Sequence, residues 1–331
     1  ILAANIAILR LLDAMGVRPV ATAGHSLGEY ASCVAAGVFS FRDALEAVSV
    51  RGREMARVSI ADPGLMMSIP ADARFVEEVL SDVDGYVVAA NKNSPKQTVI
   101  SGETHAVKKA GELFRERGLE GILIPVSAAF HSGVVAPARE PFMRTLERLT
   151  TKPPVVPILS NVTGDFYPIG PAASGHIRDL LGKQFAAPVE WVKILRRLHG
   201  EGIRLFLECG PKRVLTNMTL DTLPMGEVVA LPTNHPKKGG IMQLMETLAA
   251  LVAEGVPVDF DATMPAQPSW EITPPKRPEL RVVRDTRPEP APREAQAPVK
   301  ILPNPLDALL DEDVRRIVTQ QEFGRYLELQ G

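Results

Sequence analysis

The sequence predicts an α/β protein in which a small unit interrupts a larger one. Strand-like and helix-like segments alternate along most of the 331 residues, which is the pattern of a layered α/β domain. A compact run of strands and helices occupies residues 62–127, and a Gly-x-Ser-x-Gly motif lies between a short apolar segment and a helical one. The length itself suggests about two domains.

The first elements are a helix over the apolar pattern 1–15, a short strand at 19–23, and helices at 27–36 and 41–59. Gly16 is expected to cap the first helix. No basic segment precedes the apolar residues and polar residues interrupt them, so neither a signal peptide nor a membrane span is expected. Because the chain starts inside a helical pattern, we expect an N-terminally truncated fragment of a longer protein.

The next elements follow the order β-α-β-β-α-β, which is the ferredoxin-like pattern and defines the small inserted subdomain 62–127. They are predicted at 65–69, 72–80, 85–90, 97–101, 104–117 and 121–126. The large α/β subdomain is then made of residues 1–61 and 128–255. Its later part is predicted to contain helix 133–149, strand 155–159, helices 174–184 and 188–201, strand 203–207 and helix 239–254.

Composition changes at about residue 256. Twelve of the 29 prolines lie between Pro257 and Pro305, among charged residues and few aliphatic ones, which predicts an extended linker over 256–305. Apolar residues then recur at helical spacing opposite acidic ones, which predicts an amphipathic helix over 306–331. Docking on the domain or plain linkage is favoured for this helix over binding of a separate partner.

The overall charge gives no reason to expect nucleic acid or an anionic membrane as a partner, since 37 basic and 39 acidic residues leave a net charge of −2. Two cysteines exclude a disulfide scaffold and a cysteine-rich metal site. The six histidines are scattered without metal-ligand spacing, so no metal and no bound cofactor are expected. With no targeting segment recognised, a cytoplasmic location is expected.

The motif Gly24-His25-Ser26-Leu27-Gly28 predicts a nucleophile elbow, the sharp strand-to-helix turn of hydrolase-like parallel sheets. The glycines on both sides are expected to permit the turn and the close approach of the helix. The Ser26 hydroxyl would project at a helix N-terminus, where the backbone N–H of Leu27 can stabilise an oxyanion. Adjacent side chains diverge at such a turn, so His25 is expected to be structural rather than the base.

A nucleophilic serine needs a base, and His131 is the best candidate among the histidines. It follows the strand at 121–126, where the chain returns from the inserted unit to the large one. The other histidines lie near helix ends, in the insert or in a Pro/Lys loop. On chemistry alone, the sequence leaves open whether His131 is the base or a structural histidine.

These residues resemble the acyltransferases that load acyl carrier proteins, namely malonyl-CoA:acyl carrier protein transacylases and the acyltransferase domains of type I polyketide synthases. Matches in family order cover residues 1–255, and the residues after 255 are similar to a polyketide synthase linker. The matching motifs are Gly24-His25-Ser26-Leu27-Gly28-Glu29-Tyr30, Arg51-Gly52-Arg53-Glu54-Met55, Asn91-Lys92-Asn93-Ser94-Pro95, Val99-Ile100-Ser101-Gly102, Ala129-Phe130-His131-Ser132, Gln184-Phe185-Ala186-Ala187-Pro188-Val189-Glu190-Trp191, Glu208-Cys209-Gly210-Pro211 and Val256-Pro257-Val258-Asp259-Phe260.

The resemblance implies a ping-pong transfer of a malonyl-type group from malonyl-CoA to the phosphopantetheine thiol of a carrier protein. Ser26 would carry the acyl group and His131 would act as base, oriented by the main-chain carbonyl of Gln184. Arg51 would bind the free carboxylate of the acyl group, for which its planar fork is suited. From the residues alone, Arg51 would have been interpreted as a surface charge on a helix. The remaining implied site residues are Asn91, Asn93, His25 and Phe130.

Two further features bear on acyl selectivity and activity. Leu27 and Phe130 resemble malonyl-selective members, but Ala128 stands where their tetrapeptide begins with His, which leaves room for a larger acyl group. Nothing before Ile1 resembles the family's Gly-Gln-Gly motif, which supplies a second oxyanion donor. We therefore expect the chain alone to be poorly active and poorly soluble.

The expected partners are an acidic phosphopantetheinylated carrier protein, a CoA thioester and neighbouring synthase domains. Ordinary surface charge and steering of the carrier are equally compatible with six basic residues: Arg196, Arg197, Lys212, Arg213, Lys237 and Lys238. Two other functions stay open. One is a serine esterase or thioesterase-type hydrolase, and the other is an inactive, truncated structural segment.

Overall fold

The computed structural model describes residues 1–57, 62–170 and 172–263. The predicted linker 256–305 lies outside the described residues from 264 onward. The predicted helix 306–331 lies outside them entirely. The chain divides into two units, Ile1–Val258 and Asp259–Gly331, and of the second unit only the short 3-10 helix Asp261–Thr263 is described. The helices of the first unit are α1 Leu2–Ala14, α2 Gly28–Ala35, α3 Phe41–Arg57, α4 Ala73–Leu80, α5 Thr104–Glu116, a 3-10 helix Gly133–Ala138, α6 Arg139–Arg148, α7 Ala173–Lys183, α8 Trp191–Gly200, α9 Val214–Thr222 and α10 Gly240–Ala253. Its strands are β1 Leu65–Ile69, β2 Val87–Ser94, β3 Gln97–Gly102, β4 Ile122–Leu123, β5 Leu205–Glu208 and β6 Val229–Pro232.

Mixed α/β architecture is confirmed, and its larger sheet is built from residues 65–123. The sheet is antiparallel with the strand order β2-β3-β1-β4, so β1 lies between β3 and β4. Helices α4 and α5 contribute apolar side chains to the core of this unit. Its fully buried members include Ile69, Val76, Ile100, Val107 and Phe114.

In the remainder of the first unit, β5 and β6 form a parallel pair. Helices α1 and α10 share an apolar cluster that includes Leu12, Met15, Leu248 and Leu251. Gly16 has φ 78° after the end of α1, which is the left-handed C-cap conformation expected for it. The register of β5 with β6 places the loops after Glu208 and Pro232 at the same edge of the pair.

Several predicted elements are wrong in extent. The strands expected at 19–23 and 155–159 form isolated bridges instead, a parallel one between Thr22 and Ile158 and an antiparallel one between Leu159 and Phe166. Prolines such as Pro157 lack the N–H donor of a continuous ladder. The helix predicted at 133–149 starts as a 3-10 turn containing Pro137, and α8 begins only at Trp191. Helix α9 and strand β6 were not predicted. Their apolar residues are interrupted by polar and turn residues, which gave no clear period.

Candidate active site

The Gly24–Gly28 motif forms a tight turn into α2, and this turn exposes Ser26 at the start of the helix. Ser26 has φ 51°, a left-handed conformation that is costly for a residue with a side chain. A Cβ built on Gly24 would lie 2.1 Å from the carbonyl carbon and oxygen of Gly28, whereas a Cβ on Gly28 would meet nothing within 4 Å. Only the first of the two glycines is therefore required by close packing, which corrects the expectation for Gly28.

This asymmetry predicts opposite outcomes for two alanine substitutions in one motif. Gly24→Ala should lower the free energy of unfolding by about 2–3 kcal/mol, because backbone of α2 must move. Gly28→Ala adds a helix-favouring residue in open space and should leave stability unchanged or raise it by up to about 1 kcal/mol. Denaturant unfolding of the two variants measures the difference. Equal destabilisation by both would contradict the geometry.

Ser26 and His131, 105 residues apart in sequence, form a hydrogen-bonded dyad. Ser26 Oγ lies 2.7 Å from His131 Nε2, and His131 Nδ1 lies 3.0 Å from the carbonyl oxygen of Gln184. A carbonyl can only accept, so Nδ1 carries the proton and Nε2 is left free to accept from the serine hydroxyl. His131 also has a positive φ of 58°, so both members of the dyad are held in an uncommon backbone conformation.

The protonation state of His131 suits a base. Burial lowers the pKa of its imidazole to about 3, and the positive charge of Arg51 acts in the same direction. The imidazole is therefore neutral at physiological pH. The low pKa also means that titration of His131 does not limit proton acceptance near pH 7.

Arg51 is buried in α3 and directed at the nucleophile rather than at solvent. Its Nη2 donates to Ser26 Oγ over 3.1 Å, and its guanidinium lies 5.9 and 5.7 Å from the ring centroids of Tyr30 and Phe185. Its Nε is buried and has no hydrogen-bond partner among the described residues. The guanidinium thus retains donor capacity beside Ser26, and the interpretation of Arg51 as a surface charge is wrong.

The other predicted residues lie at different distances from the dyad. His25 Nε2 is 2.8 Å from Asn93 Oδ1, and the His25 ring packs edge-on against Trp191 at 5.6 Å. Asn93 Nδ2 in turn donates to Gln97 Oε1 on β3 over 2.9 Å. His25 therefore connects the elbow to the antiparallel sheet.

Asn91, Phe130 and Leu27 contribute mainly through backbone position or packing. Asn91 forms a parallel bridge with Val189, and its side chain makes no hydrogen bond to a described residue. Phe130 packs against an apolar cluster of the antiparallel sheet. Leu27 is the N-cap of α2, and in the ranges the structure describes its N–H has no intramolecular acceptor.

Three residues of this hydrogen-bond network were not predicted from the sequence, namely Asn161, Glu29 and Tyr167. Asn161 Oδ1 accepts from the Ser26 N–H over 2.6 Å, while Asn161 Nδ2 donates to Gly24 O over 2.7 Å. Glu29 is fully buried and accepts from the Asn161 N–H over 3.1 Å, from Tyr167 Oη and from Gln184 Nε2. The signal for Asn161 was its place just after the apolar segment 155–159, whose bridge to Thr22 brings it beside the elbow.

Burial raises the pKa of the Glu29 carboxyl from 4.5 to about 7, although Tyr167, Gln184 and the Asn161 N–H all lower it. In the unfolded chain the carboxyl ionises near 4.5, so between this pH and about 7 the folded protein binds the extra proton. Stability from this group is therefore highest at low pH and declines as pH rises to about 7.

We expect the free energy of unfolding of the parent chain to fall, relative to Glu29→Gln, by about 3 kcal/mol between pH 4.5 and pH 7. Glu208→Gln is the matched control, because Glu208 also accepts bonds from backbone and hydroxyl donors, those of Leu215 and Thr216, but lies in a separate part of the fold. Denaturant unfolding at several pH values gives the three curves. A parent curve parallel to that of Glu29→Gln would be inconsistent with burial of an ionisable carboxyl.

Within residues 1–57, 62–170 and 172–263 there is neither a metal-binding cluster nor a membrane-spanning helix. No group of three or more His, Cys, Asp or Glu side chains there could hold a metal ion. No helix in those ranges has the length and hydropathy needed to cross a membrane.

Two of the six basic candidates for carrier steering form ion pairs, Arg197 with Asp165 and Glu201, and Lys238 with Glu246.

Residues 1–255 match the family described as "Acyl transferase domain". A malonyl CoA-acyl carrier protein transacylase of Bacillus subtilis is 37% identical over 223 residues, which cover 66% of this chain and 69% of that protein. The polyketide biosynthesis protein ThaF of Burkholderia thailandensis is 34% identical over 253 residues, which cover 76% of this chain but only 20% of ThaF.

Two solved structures are similar in fold. The acyltransferase domain from the second module of the salinomycin polyketide synthase has a TM-score of 0.72 and 33% identity, covering 79% of this chain and 60% of that one. FabD from Acinetobacter baumannii has a TM-score of 0.69 and 32% identity, covering 76% of this chain and 79% of that one.

Proposed function

The chain belongs to the acyl transferase domain family, and we propose that it transfers a malonyl-type group from CoA to the phosphopantetheine thiol of an acyl carrier protein. The observation that carries this proposal is the arrangement around the Ser26 hydroxyl. Ser26 Oγ faces the unprotonated Nε2 of His131 on one side and the Arg51 guanidinium on another. The malonyl CoA-acyl carrier protein transacylase of Bacillus subtilis supports the same substrate class.

In the first half-reaction, Ser26 Oγ attacks the thioester carbonyl while His131 Nε2 takes the hydroxyl proton. The C–S bond then breaks, and the CoA sulfur leaves with the proton held by His131. The Leu27 N–H, which no described residue uses, would be the oxyanion donor. The products are the Ser26 ester and free CoA.

In the second half-reaction, His131 takes the proton of the incoming phosphopantetheine thiol. The sulfur attacks the Ser26 ester, and Ser26 Oγ leaves and recovers the proton from His131. The Gln184 carbonyl keeps the imidazole in one tautomer throughout, which is the task of aspartate in a hydrolase triad. A neutral carbonyl orients the ring without adding negative charge beside it.

Arg51 would select the acyl group through its free carboxylate. A buried guanidinium with an unpartnered Nε provides charge-assisted hydrogen bonds in a fixed geometry. Tyr30 and Phe185 limit where the guanidinium can move. An acetyl group offers no counter-charge and would leave the buried cation unpaired.

The domain organisation belongs to the same proposal. Residues 62–127 would be a ferredoxin-like insert in a hydrolase-like large subdomain made of 1–61 and 128–255. Support comes from the β2-β3-β1-β4 order with α4 and α5 packed in its core. The partners would be a carrier protein and neighbouring synthase domains, and the location would be the cytoplasm.

The test is mass spectrometry of the intact protein and of the Ser26 peptide after incubation with malonyl-, methylmalonyl- and acetyl-CoA. A malonyl adduct on Ser26 that moves to a phosphopantetheinylated carrier protein is the expected result. Free malonate appearing in place of malonyl-carrier would instead favour a hydrolase. No adduct with any of the three thioesters would overturn the proposed function.

A further inference from the structure

Glu29 is a buried carboxylate that the proposed mechanism does not use. It lies one turn beyond Ser26, in the first turn of α2, and is fully shielded from solvent. Its hydrogen-bond partners among the described residues are all neutral groups, those of Asn161, Tyr167 and Gln184. Each of its oxygens faces hydrogen-bond donors. A buried carboxylate that collects donors without a cation is costly and needs an explanation.

One carboxylate oxygen of Glu29 is linked to His131 through Gln184. Oε2 accepts from Gln184 Nε2, and the same amide nitrogen donates to the main-chain oxygen of Ser26 over 3.1 Å. The main-chain oxygen of Gln184 holds His131 Nδ1. Gln184 thus touches both members of the dyad, and Glu29 fixes its side chain.

The other carboxylate oxygen of Glu29 is linked to Ser26 through Asn161. Oε1 accepts from the Asn161 N–H and from Tyr167 Oη. The side chain of Asn161 holds the N–H of Ser26 and the carbonyl of Gly24, the two backbone groups that flank His25. These bonds restrain the left-handed turn at Ser26.

We propose that Glu29 is a positioning residue that holds Ser26 and His131 in register, through Gln184 on one side and Asn161 on the other. This inference rests on the proposed function, because it concerns the same dyad. Glu29 does not contact the reacting atoms. Its effect is to fix where the Ser26 hydroxyl and the His131 ring lie relative to each other.

The ionised form is the one that fits the site. A carboxylate offers only acceptors to the three donors, whereas a protonated acid or a glutamine amide must turn a donor towards one of them, and only the Tyr167 hydroxyl could accept it without moving. A donor on Oε2 would face Gln184 Nε2, and because Gln184 Oε1 has no partner among the described residues, a half-turn of the Gln184 amide would relieve that contact. That rotation removes the bond from Gln184 Nε2 to the Ser26 carbonyl.

The titratable and charged groups that face Glu29 are Tyr30 and Cys33 on its own helix, Arg51 on α3 and Tyr167 after the Leu159–Phe166 bridge. Arg51 and the Tyr167 hydroxyl both favour the ionised form of Glu29. The pKa of Glu29 is about 7, while that of His131 is about 3, so the two groups titrate in separate ranges. The Glu29→Gln variant, which lacks this carboxyl, decides whether a loss of activity on acidification near pH 7 reports Glu29.

The experiment measures the rate of Ser26 acylation by malonyl-CoA against pH, in single turnover, for the full chain and three variants. The parent rate is expected to rise with pH through about 7. Glu29→Gln should lose on the order of 100-fold in maximal rate with little change in the malonyl-CoA concentration at half-maximal rate. Its remaining rate should no longer rise through pH 7.

Tyr167→Phe and Glu208→Gln complete the design. Removing the Tyr167 hydroxyl takes away one donor that favours ionised Glu29, so the rise in rate should move to higher pH. Glu208→Gln should keep the parental profile, because Glu208 caps α9 and contacts neither Gln184 nor Asn161.

The outcomes separate this inference from the proposed function. Parental acylation of Glu29→Gln, or the same rise through pH 7 in that variant, would overturn the role of Glu29 while leaving the function intact. An unmoved profile in Tyr167→Phe would also count against it, and this variant keeps the carboxylate if Glu29→Gln does not fold. Absence of any Ser26 adduct in the parent chain would instead refute the function.

Discussion

Ser26→Ala is expected to abolish the covalent acyl-enzyme, and His131→Ala is expected to slow its formation by about 10⁴-fold or more. The serine supplies the only hydroxyl within hydrogen-bond reach of His131 Nε2 among the described residues. The histidine supplies the proton acceptor, because its Nδ1 is committed to the Gln184 carbonyl. Intact-protein mass spectrometry after incubation with malonyl-CoA measures the first effect, and the release rate of CoA measures the second.

The double variant Ser26→Ala/His131→Ala should be no less active than Ser26→Ala alone, since the two residues act as one unit. His176→Ala is the matched control for histidine removal, because His176 is exposed on α7 and its ring bonds only to the helix backbone at Ala172. Acylation at a residue other than Ser26 would show that a different group is the nucleophile, whereas additive losses in the double variant would show that Ser26 and His131 do not act as one unit.

The sequence was most informative where chemistry and local structure coincide. Gly-x-Ser-x-Gly before a helix predicted the elbow and its nucleophile without any structural information. The βαββαβ order predicted the elements of the antiparallel sheet, apart from shifts at their ends. In contrast, the single bridge between Thr22 and Ile158 carries almost no periodic signal, because prolines interrupt the strands that flank it.

The helical spacing of Arg51 indicates burial, although the residues alone suggested a surface charge. It lies on the same face of α3 as Ala44, Ala47 and Met55, all of which are buried. An arginine on the apolar face of a helix is either paired or functional when it is buried. The helical spacing therefore argued against a surface charge, and only the resemblance led to the site assignment.

The network around Glu29 could not be predicted from the sequence. Asn161, Tyr167 and Gln184 are between 132 and 155 residues away from Glu29, and no local period connects them. Their contacts depend on how α7 and the segment after Leu159 pack against α2. Long-range hydrogen bonds of this kind follow from tertiary packing and leave no pattern in one sequence.

The second large effect is expected at Arg51, where alanine should lower kcat/KM for malonyl-CoA by about 10²-fold while changing that for acetyl-CoA far less. Hydrogen bonds to a charged partner contribute roughly 1.5–3 kcal/mol each, and only the malonyl group has the carboxylate. Arg51 Nη2 also donates to Ser26 Oγ, so some loss should be common to both substrates. The ratio of the two kcat/KM values removes this common part and isolates carboxylate recognition.

Two further substitutions in α3 test whether the ratio of the malonyl-CoA and acetyl-CoA kcat/KM values reports carboxylate recognition by Arg51. Arg51→Lys keeps a positive charge but loses the planar fork, so it should recover only part of the malonyl preference. Arg53→Ala removes an exposed arginine two residues away, on a different face of α3, and should leave the ratio unchanged. If Arg51→Ala lowered both kcat/KM values equally, Arg51 would serve only the serine hydroxyl. Selection for the carboxylate would then have to come from another group near Ser26.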